Sequence, residues 1–136
     1  MSTTDEILTA AQQEKFWRDG YLVVDGAVNG ETLARLRRQM DDWAEESRGQ
    51  TEPYGPPTVD GRPRFDLEEN HSTERPALRR INNPAEVSDD FHAVMTDAPM
   101  VDMVADLIGP NVKYHHCKIN SKLPGSTMVL RYHQDF

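Results

Sequence analysis

The sequence predicts an α+β chain with helices first and strands last, and three observations carry that expectation. Apolar residues recur at helical spacing in several segments before Pro110, most regularly at Leu33, Leu36, Met40 and Trp43. After Pro110 the helical period disappears, and two β-rich runs bounded by proline and glycine fill the remainder. A chain of 136 residues suffices for one domain with a moderate core and is short for two. The expected division is a helical part over 1–110, interrupted by a proline-rich loop at 49–63, and core strands over 111–136.

Each element has a local reason. Thr9 can cap a helix from Ala10 to Asp19, with Phe16 and Trp17 as its buried residues and Gly20 as its stop. Tyr21 to Val24 is a short aromatic and β-branched run, which reads as a strand. A second helix is expected from about Glu31 to Glu46, with one apolar stripe and one charged face. From Gly49 to Pro63, prolines and glycines exclude regular structure, leaving either a surface excursion or a lid over a pocket. Arg79 to Asn83 is too short to classify. Ser88 can cap a helix to Thr96, and Pro99 can open another to Ile108, stopped by Gly109-Pro110, with Val101, Val104, Ala105 and Ile108 inside. Val112 to Ser121 and Thr127 to Phe136 then read as strands.

Composition excludes some functions. The net charge is -8, with acids at Asp41-Asp42, Glu45-Glu46, Glu68-Glu69 and Asp89-Asp90, and no basic stripe interleaved with aromatics. Such a field repels a polyanion, so no nucleic-acid partner is expected. Apolar stretches such as Leu22-Val23-Val24 are far too short to span a bilayer. The opening MSTTDEILTA carries acids where a secretory leader carries bases, so a cytoplasmic location is expected. Cys117 is the single cysteine, which rules out an internal disulfide.

Chemistry is concentrated near the end, in RYHQDF. On a strand His133 and Asp135 share one face, offering an imidazole nitrogen and a carboxylate to a common point. A second histidine would complete a facial triad of two histidines and a carboxylate, the arrangement of non-heme Fe(II) oxygenases. Taken alone, the pair reads as a surface histidine beside an acid. In VKYHHCKINS, strand alternation puts His115 and His116 on opposite faces, so they do not chelate one ion together. Cys117 shares a face with His115 and Ile119 in what reads as packing, without the electropositive setting of a reactive thiol. His116, Lys118, Asn120 and Lys122 form the other face. That face lies in water or lines a polar cavity, where its lysines would attract an anion such as a dicarboxylate.

The stretches LTAAQQEKFWRDGYLVVDGAVNGETLARL, RRINNPAE and DMVADLIGPNVKYHHCKINSKLPGSTMVLRYHQDF together resemble the phytanoyl-CoA dioxygenase family. The resemblance runs from Leu8 to Phe136, apart from the proline-rich loop. It implies an Fe(II)- and 2-oxoglutarate-dependent oxygenase on a double-stranded β-helix, a cupin-like jelly roll. It places His133 and Asp135 at the first two iron ligands, Lys118 and Arg80 around 2-oxoglutarate, and His116 in the pocket lining. Related halogenases replace the carboxylate ligand with a small residue, so Asp135 implies hydroxylation of a C–H bond in a small organic or acyl substrate, with dioxygen as co-substrate.

The family's second histidine ligand and its carboxylate-binding arginine lie well downstream of His-x-Asp. None of His71, His92, His115 and His116 matches that histidine. A closed jelly roll needs about eight strands, and three or four are in sight here. The resemblance therefore implies the N-terminal portion of a longer enzyme. The alternative is a catalytically incomplete member that serves as a binding or assembly module.

Overall fold

Polar side chains set where three of the helices begin. In the computed structural model, which describes residues 7–129 and 131–133, α1 runs Ala10–Asp19 with Thr9 and Gln12 in a reciprocal capping box. Gly20 closes it, its N–H donating to the Phe16 carbonyl at 2.8 Å. Helix α2, Gly30–Ser47, starts where Asn29 Oδ1 accepts the Thr32 N–H at 2.8 Å. After the strands β1, Phe65–Leu67, and β2, Leu78–Asn82, comes a 3-10 turn at Pro84–Glu86. Ser88 then caps α3, Asp89–Thr96. Helix α4, Pro99–Ile108, has no side-chain cap and relies on Pro99, whose missing N–H costs nothing in a first turn. The last strand is β3, Lys118–Asn120.

The result is a mixed architecture of helices and one small antiparallel sheet, ordered β1-β2-β3. Its register makes two rows of opposite character. Phe65 pairs with Ile81 and Ile81 with Ile119; one residue along, Asp66 pairs with Arg80 and Arg80 with Asn120. Because successive side chains alternate faces, the first row is apolar and the second polar.

The chain separates into two compact units, one holding the residues up to Arg38 with Ala85–His116, the other Gln39–Pro84 with the residues from Cys117 on. In the first, α1 and α3 pack on α4. The backbone N–H groups of Ile7 and Leu8 both donate to Asp106 Oδ2 at 2.8 Å, and Leu8 and Val94 are buried. Arg35 joins α2 to α3 through Asp90 at 2.8 Å. In the second unit the core is Trp43, Phe65, Ala77, Leu78, Ile81 and Pro84. The Phe65 ring lies 5.5 Å from Trp43 and stacks on Tyr54 at 4.8 Å. No helix among the described residues is long and apolar enough to cross a membrane.

The proline-rich loop is tied back onto the sheet. Tyr54 and Phe65 exchange both backbone hydrogen bonds at 3.0 Å, making an antiparallel bridge, and the Thr58 N–H closes a turn onto the Arg62 carbonyl at 2.9 Å. His71 is part of the same scaffold. Its Nδ1 accepts the Ala77 N–H at 2.9 Å, so its Nε2–H donates to the Gln50 carbonyl at 3.1 Å.

Several sequence expectations are corrected. Trp17 is 67% exposed and Phe16 half-buried, their rings meeting edge-on at 5.2 Å. Neighbouring helix residues project about 100° apart, so one narrow contact does not bury both. Tyr21 to Val24 joins no described strand, and Tyr21 and Val23 are exposed. Of the α2 stripe only Trp43 is fully buried, and Val104 and Ile108 of α4 are exposed. The expected strand from Val112 to Ser121 shrinks to three residues, each paired with one of Arg80, Ile81 and Asn82. Arg79 to Asn83, unassigned from sequence, supplies most of the central strand. None of the described residues from Thr127 onward is in a strand; Leu130 and 134–136 lie outside the described residues.

Candidate functional site

The polar row of the sheet brings together two of the residues singled out from sequence. Arg80 on β2 and Lys118 on β3 occupy the same face. Arg80 is the register partner of Asn120, and Lys118 that of Asn82. The Arg80 Nε–H donates to Asn120 Oδ1 at 3.2 Å, and its Nη1 stands 3.9 Å from Asp66 Oδ2 on β1. Lys118 and Asn120 are exposed, whereas Asn82 is buried and its amide donates to the Pro63 carbonyl at 2.9 Å. Two cations and two amides share this face with the Asp66 carboxylate, and paired charge-assisted donors of this kind suit an oxyanion. This arrangement fits a dicarboxylate such as 2-oxoglutarate.

Asp66 and Asn82 were not anticipated as members of this face. Their signal was present in the alternation of Phe65-Asp66-Leu67 and of Arg80-Ile81-Asn82, but both runs are too short to separate from a loop without knowing that they pair.

Of the other expected residues, the structure describes His116 and His133. His116 is exposed and belongs to the first unit, with its ring 4.6 Å from that of His115 and their Nδ1 atoms in contact. The opposite-face expectation for this pair is therefore corrected. Residues 112–117 are not in a strand, so strict alternation does not govern them. Cys117 is half-buried, with its N–H donating to Asn83 Oδ1 at 3.0 Å.

His133 is exposed, and its Nδ1 lies 2.9 Å from the Arg131 carbonyl. A carbonyl only accepts, so Nδ1 carries a proton, and in the neutral ring Nε2 is then the acceptor. That tautomer is the one a metal ligand needs, with the second nitrogen oriented by a backbone carbonyl. Asp135 lies outside the described residues. Among the described residues no group of three or more His, Cys, Asp or Glu is placed to hold a metal ion. The donor chemistry of His133 fits iron, with Asp135 supplied by the sequence pattern alone.

The same unit holds a cleft of about 350 Å3 lined by Leu67, Glu68, Glu69, Arg79, Thr127 and Met128, none of them a residue expected at the site. Glu68 is buried there. Its Oε2 is 3.4 Å from Arg75 Nη1, and its Oε1 has no hydrogen-bond partner among the described residues.

No family model and no solved structure matches the chain. It is similar to a protein of Stutzerimonas stutzeri named "Probable alpha-ketoglutarate-dependent hypophosphite dioxygenase", at 25% identity over 130 residues. The alignment covers 93% of this chain and 41% of that protein, so the chain spans less than half the length of the curated relative it matches.

Proposed function

We propose that this chain belongs to an Fe(II)- and 2-oxoglutarate-dependent oxygenase of the phytanoyl-CoA dioxygenase type, and supplies its helical layer and the first strands of a jelly roll. The observation that carries the reading is the shared face of Arg80 and Lys118, two cations from neighbouring strands beside the Asn82 and Asn120 amides. The similarity to a relative named for its dependence on alpha-ketoglutarate supports it independently.

In this reading Arg80 and Lys118 hold carboxylate oxygens of 2-oxoglutarate, and Asn120 and Asp66 flank the Arg80 guanidinium. His133 offers Nε2 to iron while the Arg131 carbonyl fixes its ring, and Asp135 adds the carboxylate. Iron, 2-oxoglutarate and dioxygen would supply the oxidation, converting 2-oxoglutarate to succinate and CO2 and adding one oxygen to the substrate. The part given to His116 rests on the resemblance alone. The substrate is a small molecule, either with an oxidisable C–H bond or, following the name of the relative, a small oxyanion.

Titration of Mn(II), a surrogate slow to oxidise, into this chain tests the reading by paramagnetic resonance. Added 2-oxoglutarate is expected to tighten Mn(II) binding, and His133→Ala or Asp135→Ala to remove the tightening. Tightening that survives both substitutions sinks the ligand assignment. No tightening at all favours the non-catalytic binding module.

A further inference from the structure

Arg80 makes unusual use of its donors. A guanidinium carries five N–H groups, and here the Nε–H alone is committed, to Asn120 Oδ1 at 3.2 Å. Asp66 Oδ2, at 3.9 Å from Nη1, is beyond hydrogen-bond distance. The end-on edge formed by Nη1 and Nη2 makes no hydrogen bond among the described residues. The side chain is 27% exposed, and the edge stands open to solvent, not consumed by the fold.

The three residues sit at one register level on three consecutive strands, Asp66 opposite Arg80 opposite Asn120. A hydrogen bond at Nε fixes the guanidinium plane and direction without occupying the terminal nitrogens. Those nitrogens are the pair that grips a carboxylate in two parallel bonds. A bond to a terminal nitrogen would have blocked that edge. Lys118 is two residues before Asn120 on the same strand and face, and brings a second, freely rotating cation to the same side.

We propose that Asn120 is a positioning residue, which orients the Arg80 guanidinium so that its Nη1/Nη2 edge receives a carboxylate held jointly with Lys118. The inference rests on the reading of this face as a dicarboxylate site and adds to it the device that sets the geometry. Asp66 has a secondary part as the weak counter-ion that steadies Nη1 until a ligand arrives.

Succinate and succinamide test this, being alike in shape and differing in charge. Both are titrated into the chain while amide shifts and the Arg80 side-chain Nε–H resonance are followed by NMR. The wild-type chain is expected to prefer succinate by about tenfold, with the Nε–H resonance shifting on succinate alone; Arg80→Met should abolish that preference. Asn120→Ala should cut the preference about fivefold, the scale of one hydrogen bond, at an unchanged melting temperature.

If Arg80→Met leaves the preference intact, the dicarboxylate reading of the face falls and the proposal with it. If Arg80→Met abolishes the preference but Asn120→Ala leaves it whole, the positioning role falls while the anion site stands. The wild-type resonance decides independently of how any variant folds: an Nε–H signal that succinate leaves unmoved overturns the proposal.

Discussion

Arg64 donates from one terminal nitrogen to the carbonyls of both Asn82 and Asn83, each at 2.8 Å, although it is 2% exposed. Its Nε–H reaches the Pro56 carbonyl at 3.2 Å. One side chain thus ties the end of β2 to the proline-rich loop, where neither segment can satisfy its carbonyls through regular pairing.

Arg64→Met should therefore destabilise the fold by roughly 3 kcal/mol or more, because it leaves several buried carbonyls without donors. Arg64→Lys should fall between, since an ammonium keeps the charge but lacks the fork. Urea midpoints at constant slope measure both. A Met variant within about 0.5 kcal/mol of wild type, the range of an ordinary surface substitution, would remove Arg64 from this role.

Asn83 follows directly and takes φ 45°, a left-handed conformation. Its N–H donates to the Cys117 carbonyl at 2.8 Å and its Oδ1 accepts the Cys117 N–H at 3.0 Å, so the side chain imitates a further rung of the ladder. Asn83→Asp keeps the acceptor and tolerates the backbone, and should cost least. Asn83→Gly relieves the backbone but loses the acceptor; Asn83→Ala loses the acceptor and strains the backbone, by about 1–2 kcal/mol more. Thermal unfolding that ranks Ala at or above Gly would contradict the strain.

Gly55 offers a paired comparison. At φ 90° a Cβ would sit 2.8 Å from Phe65 Cδ2 and 3.0 Å from Arg64 Cβ. Gly61, at φ 79°, has nothing within 4 Å of the same position. Both alanine variants pay the left-handed cost, but only Gly55→Ala must also displace a core ring, which adds about 1–3 kcal/mol. Equal losses in the two variants would mean that the loop yields and the ring does not constrain it.

These contacts explain what was legible in sequence and what was not. The limits of α1, α3 and α4 could be read because capping is local: Thr9, Ser88 and Pro99 act within one turn. The fate of the apolar residues was less legible. Trp17, Val104 and Ile108 look like core by spacing yet are exposed, since burial depends on what packs against them. The sheet was hidden for the same reason. Nothing local marks Phe65–Leu67 as the partner of Leu78–Asn82, and Arg64, which links strand to loop, is a charged residue that composition assigns to the surface. At the candidate site, alternation correctly put Lys118 and Asn120 on one face. Arg80 joins them through strand pairing, which a single sequence does not display.

Tyr54 gives the fold a dependence on alkaline pH. Burial against the core, and secondarily the Glu46 carboxylate, push its phenol up to about 12 from an ordinary value of 10.0. Its ring stacks on Phe65, and its hydroxyl points to the Trp43 carbonyl at 3.4 Å. The folded state therefore retains a proton that the unfolded chain releases near pH 10. Stability from this group is complete below pH 10 and is lost as pH rises towards 12, because there the unfolded state binds fewer protons than the folded one. Partial exposure of the ring makes the loss smaller than a fully buried phenol would give. Tyr54→Phe should be close to wild type at pH 8 and should lose less stability between pH 10 and 12. Glu46→Gln should delay the loss to a lesser degree. Denaturation at stepped pH compares the three, and parallel declines in wild type and Tyr54→Phe would assign the alkaline sensitivity to other groups.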